Sequence, residues 1–286
     1  MVSVMGDSAI RGENVNRAVK GFALKLFKLK SVLLQESSTN QTETYYRETA
    51  TDLTAHGETW DIKGVARGSA FPHVDPSWTK QQGRHLKHAA EGIVFMEDKM
   101  LDAIDVQART IIRVARAISE SVDQHIYSEL IGATGIGTAA AEANWDAVTE
   151  STRKPITDLL KGRQNMAENN YDVGNLYILM TPHDYRALME NSKVINNPSF
   201  KTADVVSNGV VGQIVGGTII ESNSVDDDEC LMIIGQRAAT WKSAAPLTSV
   251  VIEDPGIKYT IRSWEMGQVQ VTDPLAIYRI TNTQKT

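Results

Sequence analysis

The chain has 286 residues, 42% of them hydrophobic, enough to bury a substantial core and to divide into roughly two or three subdomains. Thirty-five acidic residues against twenty-nine basic ones leave a net charge of −6, which argues against a dedicated nucleic-acid binder but leaves room for a locally basic face. The single cysteine, Cys230 in the apolar run CLMIIG, excludes an intramolecular disulfide, and the sequence shows neither a signal-peptide core in residues 1–14 nor an apolar run of membrane-spanning length.

Val15, Val19, Phe22, Leu26, Leu29 and Leu33 alternate at spacings of four and three, with Arg17, Lys20, Lys25 and Lys28 mostly on the other side. The pattern predicts a basic amphipathic helix running to Leu33. Such a helix docks on a partner, touches a polyanion, lies on a membrane surface, or simply presents a solvated lysine face.

From Asn40 to Ala89 the aliphatic bulk comes only from Leu53, Ile62, Val65, Val74 and Leu86, too little for a separate core. Tyr45, Tyr46, Trp60, Phe71 and Trp78 are spread through the stretch, and its threonines and aromatics favour strand. Two arms, Tyr46–Leu53 and Thr59–Ala66, are expected to pair around Ala55, His56 and Gly57 as a long projecting hairpin. An isolated two-stranded ribbon is marginal in water, so the aromatics need a surface, either on another subunit or on their own chain.

Glu91–Ile131 reads as one continuous helix, with an apolar stripe at Ile93, Met100, Ile104, Ala108, Ile111, Ala115, Ile118, Val122, Ile126 and Leu130. Some 40 residues would make a rod of roughly 60 Å. Arg109, Arg113 and Arg116 alternate with Asp102, Asp105, Glu120 and Asp123 on its wet faces, and Gly132 suits a left-handed stop. A coiled coil is the alternative, against which the thin seam at Ala108 and Ala115 argues.

Beyond the small-residue segment GATGIGTAAAEANWDA, Trp145–Asn169 is expected to be helical, with Ile156, Leu159, Leu160 and Met166 inward. LYILM from Leu176 is a buried strand ended by Pro182, HDYRALMEN a short helix, and VVGQIVGGTIIESNSV a strand pair about Gly216–Gly217. CLMIIG adds a strand to this compact unit of Asn144 to Pro246. VVIED, KYTIRSW, QVQV and AIYRI alternate as strands separated by Asp254-Pro255-Gly256, by Gly267 and by Asp273-Pro274, and are expected to cover the stripe of the long helix.

Chemistry-bearing motifs are few. The sequence has no HExxH, nucleophile elbow, paired-cysteine motif or dinucleotide fingerprint, and the glycines after Gly132 follow a helix rather than a strand. His85 and His88 would share a helical face but have no evident third ligand. The run Asp226, Asp227, Asp228, Glu229 lacks calcium-loop spacing and reads as a solvated turn, and His125 as a partly buried polar group. No catalytic residue, cofactor or metal site is expected.

The order of elements resembles the major capsid proteins of tailed double-stranded DNA phages, the Hong Kong 97 fold. YYRETATDLTAHGETWDIKGVARGSAFP is similar to the extended loop of that family, and KHAAEGIVFMEDKMLDA to the start of its spine helix. DQHIYSELIGATG resembles the end of that helix, LYILMTPHDYRALME with VGQIVGGTIIESNSV the axial domain, and GQVQVTDPLAIYRIT the closing strand. The resemblance implies an α+β chain divided into an N-terminal arm (residues 1–38), an extended-loop hairpin (39–89), a peripheral domain with the spine helix (90–143), an axial domain (144–246) and a return to the peripheral sheet (247–286).

It also implies a structural protein, not an enzyme, whose pentamers and hexamers close an icosahedral procapsid and then a virion head around double-stranded DNA. Partners would be further copies of the chain, a portal, a separate scaffold protein and DNA held by non-specific contact, with no membrane, and assembly would take place in the host cytoplasm. Tyr45, Tyr46, Trp60, Phe71 and Trp78 become candidate inter-subunit contacts, and Arg17, Lys20, Lys25 and Lys28 candidate interior or scaffold-facing residues. Fewer than forty residues precede the hairpin, so a long cleavable scaffolding segment is not expected. Lys63 and Lys80 lie where some members crosslink, but no Asn partner is identified. An encapsulin-like nanocompartment is the alternative, and a soluble α+β enzyme the second.

Overall fold

The computed structural model describes residues 12–48, 64–70, 78–101, 105–195 and 213–285. Its first element, α1 (Gly12–Leu26), buries Val15, Val19 and Ala23 and has Glu13 in its first turn, where a carboxylate favours the positive end of the helix dipole. The helix ends at Leu26, short of the expected Leu33. The carboxylate of Asp123 is the physical reason, since it accepts the backbone N–H groups of Lys28 at 2.8 Å and Lys30 at 3.2 Å, which a continuing helix would send to carbonyls four residues back. Leu29, Val32 and Leu33 are nevertheless buried, from a turn instead of a helix.

The chain continues as β1 (Leu34–Ser37), β2 (Thr42–Glu48), β3 (Trp78–Arg84) and β4 (Leu86–Phe95). β2 and β3 form an antiparallel ribbon running from Thr42↔Arg84 to Glu48↔Trp78. The ribbon thus starts earlier and closes later than the hairpin expected around His56: Gly64 is turn, Val65 and Ala66 are irregular, and the rest of that second arm, with the hairpin tip, lies outside the described residues. His85 and His88 correspondingly sit beside and within a strand, not on a helical face.

The long helix is also shorter than expected. Glu91–Phe95 belongs to β4, followed by α2 (Met96–Leu101) and then α3 (Val106–Ile131), 26 residues and about 39 Å long. Val94 and Phe95 favour a strand, and Asp105 caps α3 by accepting the Ala108 N–H at 2.9 Å. Ile93 is therefore 41% exposed instead of part of the stripe, whereas Ile111, Ala115, Ile118, Val122, Ile126 and Leu130 are buried as the spacing requires. Met100 and Ile104, also assigned to the stripe, lie where side chains are not described. Gly132 ends the helix in the right-handed region at φ −76°, and the left-handed residue is Gly135 at +94°.

The second half contains β5 (Gly137–Ala140), α4 (Pro155–Glu168), β6 (Leu176–Met180), α5 (Pro182–Met189) and α6 (Ser192–Ile195). It closes with β7 (Gln213–Ile214), β8 (Gly217–Glu221), β9 (Glu229–Ile234), β10 (Ala239–Asp254), β11 (Lys258–Val271) and β12 (Ile277–Thr281). α4 starts at Pro155, ten residues after the expected Trp145. Trp145 is fully buried ahead of the helix, its Nε1 donating to Asp158 Oδ2 at 3.0 Å, and Leu160 points outward at 48% exposure. Of the acidic run, Asp226 and Asp227 are exposed, but Glu229 pairs with Arg279 and accepts the Tyr127 hydroxyl at 2.6 Å.

Two sheets result. One has the order β1-β10-β11-β4, the other β5-β12-β9-β6-β8-β7. α3 lies on β4 and β11 of the first, and α1 on α3 and β10. Gly92 permits this approach: a Cβ there would stand 2.4 Å from Thr110 Cγ2 of α3. β11 runs unbroken through Gly267, where the Trp241 ring fills the space a side chain would need. β12 joins the second sheet rather than covering α3, pairing antiparallel with β9 and parallel with β5.

Candidate functional site

The ribbon has two unlike faces. Alternation along β2 turns Glu43, Tyr45 and Arg47 toward the body. There Arg47 Nε donates to the Val271 carbonyl at 3.1 Å and its guanidinium to the Tyr45 hydroxyl at 3.2 Å, while Gln270 Nε2 donates to Glu43 at 3.0 Å. Tyr46 and Trp78 are 56% and 55% exposed and meet edge-to-face with centroids 6.1 Å apart. They are diagonal neighbours, Tyr46 being opposite Lys80 and Trp78 opposite Glu48. The pair therefore keeps about half of its ring surface in water. Tyr45 is thus separated from them by the pleat, and Trp60 and Phe71 lie outside the described residues.

The basic candidates lie on α1 and just after it. Arg17 and Lys20 are exposed on α1, the side chain of Lys25 is not among those described, and Lys28 lies beyond the helix with its ammonium on the Glu221 carbonyl. The three backbone N–H groups of Lys28, Leu29 and Lys30 converge on Asp123. Burial raises the Asp123 carboxyl above its ordinary range, and those N–H groups work against the rise.

Between α3 and the first sheet lies a polar cluster that the sequence reading did not assemble. His88 on β4 contacts Ser121 Oγ through Nδ1 at 2.9 Å, and its ring centroid is 5.4 Å from that of His125 and 6.4 Å from that of Trp241. Glu265, opposite His88 on β11, is fully buried and forms an ion pair with Lys30, whose ammonium also stands 4.4 Å over the Phe27 ring. Burial lowers both histidines below 6.5, and for His88 the neighbouring His125 adds to it. The alternation that hides Glu265 among Ile261, Ser263 and Gly267 was visible in KYTIRSWEMGQVQV, but its partners come from four separate segments. Among the described residues no group of three or more His, Cys, Asp or Glu is placed to hold a metal, and no helix is long and apolar enough to cross a membrane.

These features meet known proteins as follows. The family model described as "Phage capsid protein" matches residues 90–280. Solved structures agree in fold. A virus-like particle from Pyrococcus furiosus aligns with TM-score 0.63 at 14% identity, over 94% of this chain and 98% of that one. The capsid of cyanophage P-SCSP1u gives TM-score 0.66 at 14% identity over 89% and 87%, and Mycobacterium phage Che8 0.60 at 16% over 86% of each. No curated protein sequence matches the chain.

Proposed function

The chain belongs to the phage capsid protein family, and from that premise we propose that it self-assembles through pentamers and hexamers into an icosahedral head enclosing double-stranded DNA. Family membership already makes it a structural, homo-oligomeric shell component of a virion, with the Hong Kong 97-like fold. The finer reading divides it into the arm 1–38, the extended loop 39–89, the peripheral residues 90–143 and 247–286, and the axial domain 144–246. The single observation that supports self-assembly most directly is the Tyr46–Trp78 pair, half exposed on a two-stranded ribbon whose other face places Arg47 on the Val271 carbonyl. Laid over a neighbouring copy, the pair loses its water, and the same contact repeated around rings closes a shell. Arg17 and Lys20 then face the interior or a scaffold, with assembly in the host cytoplasm and a portal at one vertex.

Sedimentation and negative-stain microscopy of the purified chain, alone and co-expressed with its genomic neighbours, test this reading. Closed shells or rings of five and six are expected, and a discrete small oligomer under every condition would overturn it. An encapsulin-like compartment is the second reading, since the fold is shared with a virus-like particle over 94% of this chain. Particle contents separate the two: nucleic acid for the head, a protein for the compartment.

A further inference from the structure

α1 and α3 lie side by side on one face of the four-stranded sheet, α1 over β10 and α3 over β4 and β11, so their outward sides make one solvent surface. There α3 sets Arg109, Arg113 and Arg116 at i, i+4 and i+7, a row roughly 10 Å long within roughly 60° of arc. All three are exposed, as are Arg17 and Lys20 on α1. Among the described residues no ion pair or hydrogen bond engages the three guanidinium groups, although Asp105 and Glu120 stand four residues to either side of the row. The Asp105 carboxylate is instead taken by the Ala108 N–H at 2.9 Å. Arginine ahead of glutamate is the weaker order for a helical pair, which leaves Arg116 free of Glu120.

The charge of these segments is one-sided. Residues 106–119 carry Arg109, Arg113 and Arg116, and residues 14–26 carry Arg17, Lys20 and Lys25, without a carboxylate in either segment, in a chain whose net charge is −6. Such a concentration recruits a polyanion by charge complementarity. The surface has no apolar centre in which a protein partner could anchor: Phe22, 39% exposed, is the single large apolar side chain exposed on either helix among the described residues. Arginine suits phosphate in particular, since its planar fork of donors matches two phosphate oxygens at once. A straight row on a convex helix, with no groove to enclose a base, meets the backbone and not base edges. We infer that the outward face of α1 and α3 is a contact surface for duplex DNA, with Arg109, Arg113 and Arg116 on backbone phosphates, Arg17 and Lys20 beside them, and no base sequence read. The inference rests on the reading of the chain as a subunit of a DNA-filled head, and it names the side of the subunit that faces the DNA.

The test uses the unassembled full chain, separated from particles by sedimentation, and a fluorescein-labelled duplex of about 20 base pairs, followed by fluorescence anisotropy between about 50 and 200 mM salt. Each phosphate neutralised contributes about −0.9 to the slope of log affinity against log salt, so five cations give roughly −4.5. Arg109→Gln, Arg113→Gln and Arg116→Gln together should flatten the slope by about 2.7 and weaken binding by about tenfold or more at the lowest salt. The melting temperature should stay unchanged, because the three side chains hold no partner. Lysine at the same three positions should restore most of the slope. Lys154→Gln, Lys161→Gln and Lys193→Gln remove equal charge from exposed positions outside the two helices and should leave the slope as it was. A second duplex of unrelated sequence should bind equally. An unchanged slope in the arginine variant, or an equal loss in the control with Lys154, Lys161 and Lys193 replaced, would overturn the inference. So would a poly-aspartate peptide that binds as tightly as the duplex, which would assign the face to an acidic protein. Nucleic acid measured in assembled parent particles tests the head reading by a separate readout, so failure of one is told apart from failure of the other.

Discussion

The two sheets are held together by opposite means. The middle of the six-stranded sheet is built from uninterrupted apolar runs, Leu-Tyr-Ile-Leu-Met in β6 and Cys-Leu-Met-Ile-Ile in β9, with Ile178, Leu179, Met180, Leu231, Met232 and Ile233 all fully buried. The four-stranded sheet instead places His88, Trp241, Glu265 and Gln268 in its interior, with several of their polar atoms unpartnered among the described residues. An apolar interior is insensitive to proton activity and has no specific bond to break. An interface that carries buried charge and imidazole depends on each of those groups keeping its partner and its protonation state.

Truncations on the two sides of this contrast should differ most. Leu179→Ala, in the middle of the six-stranded sheet, should cost about 3 kcal/mol through lost burial and a residual cavity, read as a fall in the urea midpoint with unchanged slope. Asp123→Ala should cost less, about 2 kcal/mol, because it strands the backbone donors of Lys28 and Lys30. Its signature is local, with faster proteolysis between Phe27 and Leu33 before global unfolding. Were the two variants to behave alike, the distinction between an apolar half and a polar half would fail.

Acid sharpens the same comparison. His88 and His125 have folded-state values below 6.5, so the unfolded chain binds more protons just beneath that pH. Their contribution to stability is therefore complete above pH 6.5 and is lost as pH falls through their folded values. The facing groups are Ser121, Glu265 and Lys30, of which Glu265 opposes the shift at His88 and Lys30 adds to it. Asp123 and Asp184 have the reverse sign: burial raises them, so acidification toward 3.8 relieves a cost of the folded state. Thermal melts between pH 7 and pH 5 should show falling stability in the parent chain and a flatter profile in a His88→Gln, His125→Gln double variant. A parallel decline in both would remove the histidines from the account.

The smallest effect on the single subunit belongs to the ribbon. Tyr46→Ser with Trp78→Ser should change subunit stability by about 0.5 kcal/mol or less, since both rings already stand half in water. The same change should reduce the yield of sedimenting particles severely. Normal particles from the double variant would detach the exposed pair from assembly.

Much of the architecture was legible from pattern alone. The buried stripe of α3 follows its 3.6-residue spacing, and β6, β8 and β9 appear where the apolar runs put them, with the turn before β8 at Val215–Gly216, one residue earlier than expected. The errors cluster where local preference competes with a long-range partner. Helical spacing continued through Glu91–Phe95, but pairing of Ile93 with Thr260 and the close approach allowed by Gly92 made it strand. The spacing from Val15 to Leu33 predicted a helix whose second half Asp123, some 95 residues away, holds as a turn. Tyr45 and Tyr46 look equivalent in sequence, yet one holds Arg47 and the other faces water. The polar cluster was illegible because its members come from β4, α3, β10, β11 and the turn after α1, and no local spacing encodes their meeting.

The sequence by itself determined most element types, the absence of an intramolecular disulfide and the general order of a capsid chain, because periodicity and composition act over one or two turns or strands. Only the tertiary structure decided where helices end, which strands share a sheet and which face of the ribbon is free. Those outcomes depend on hydrogen-bond partners and close approaches supplied by residues far along the chain, and a linear pattern carries no record of them.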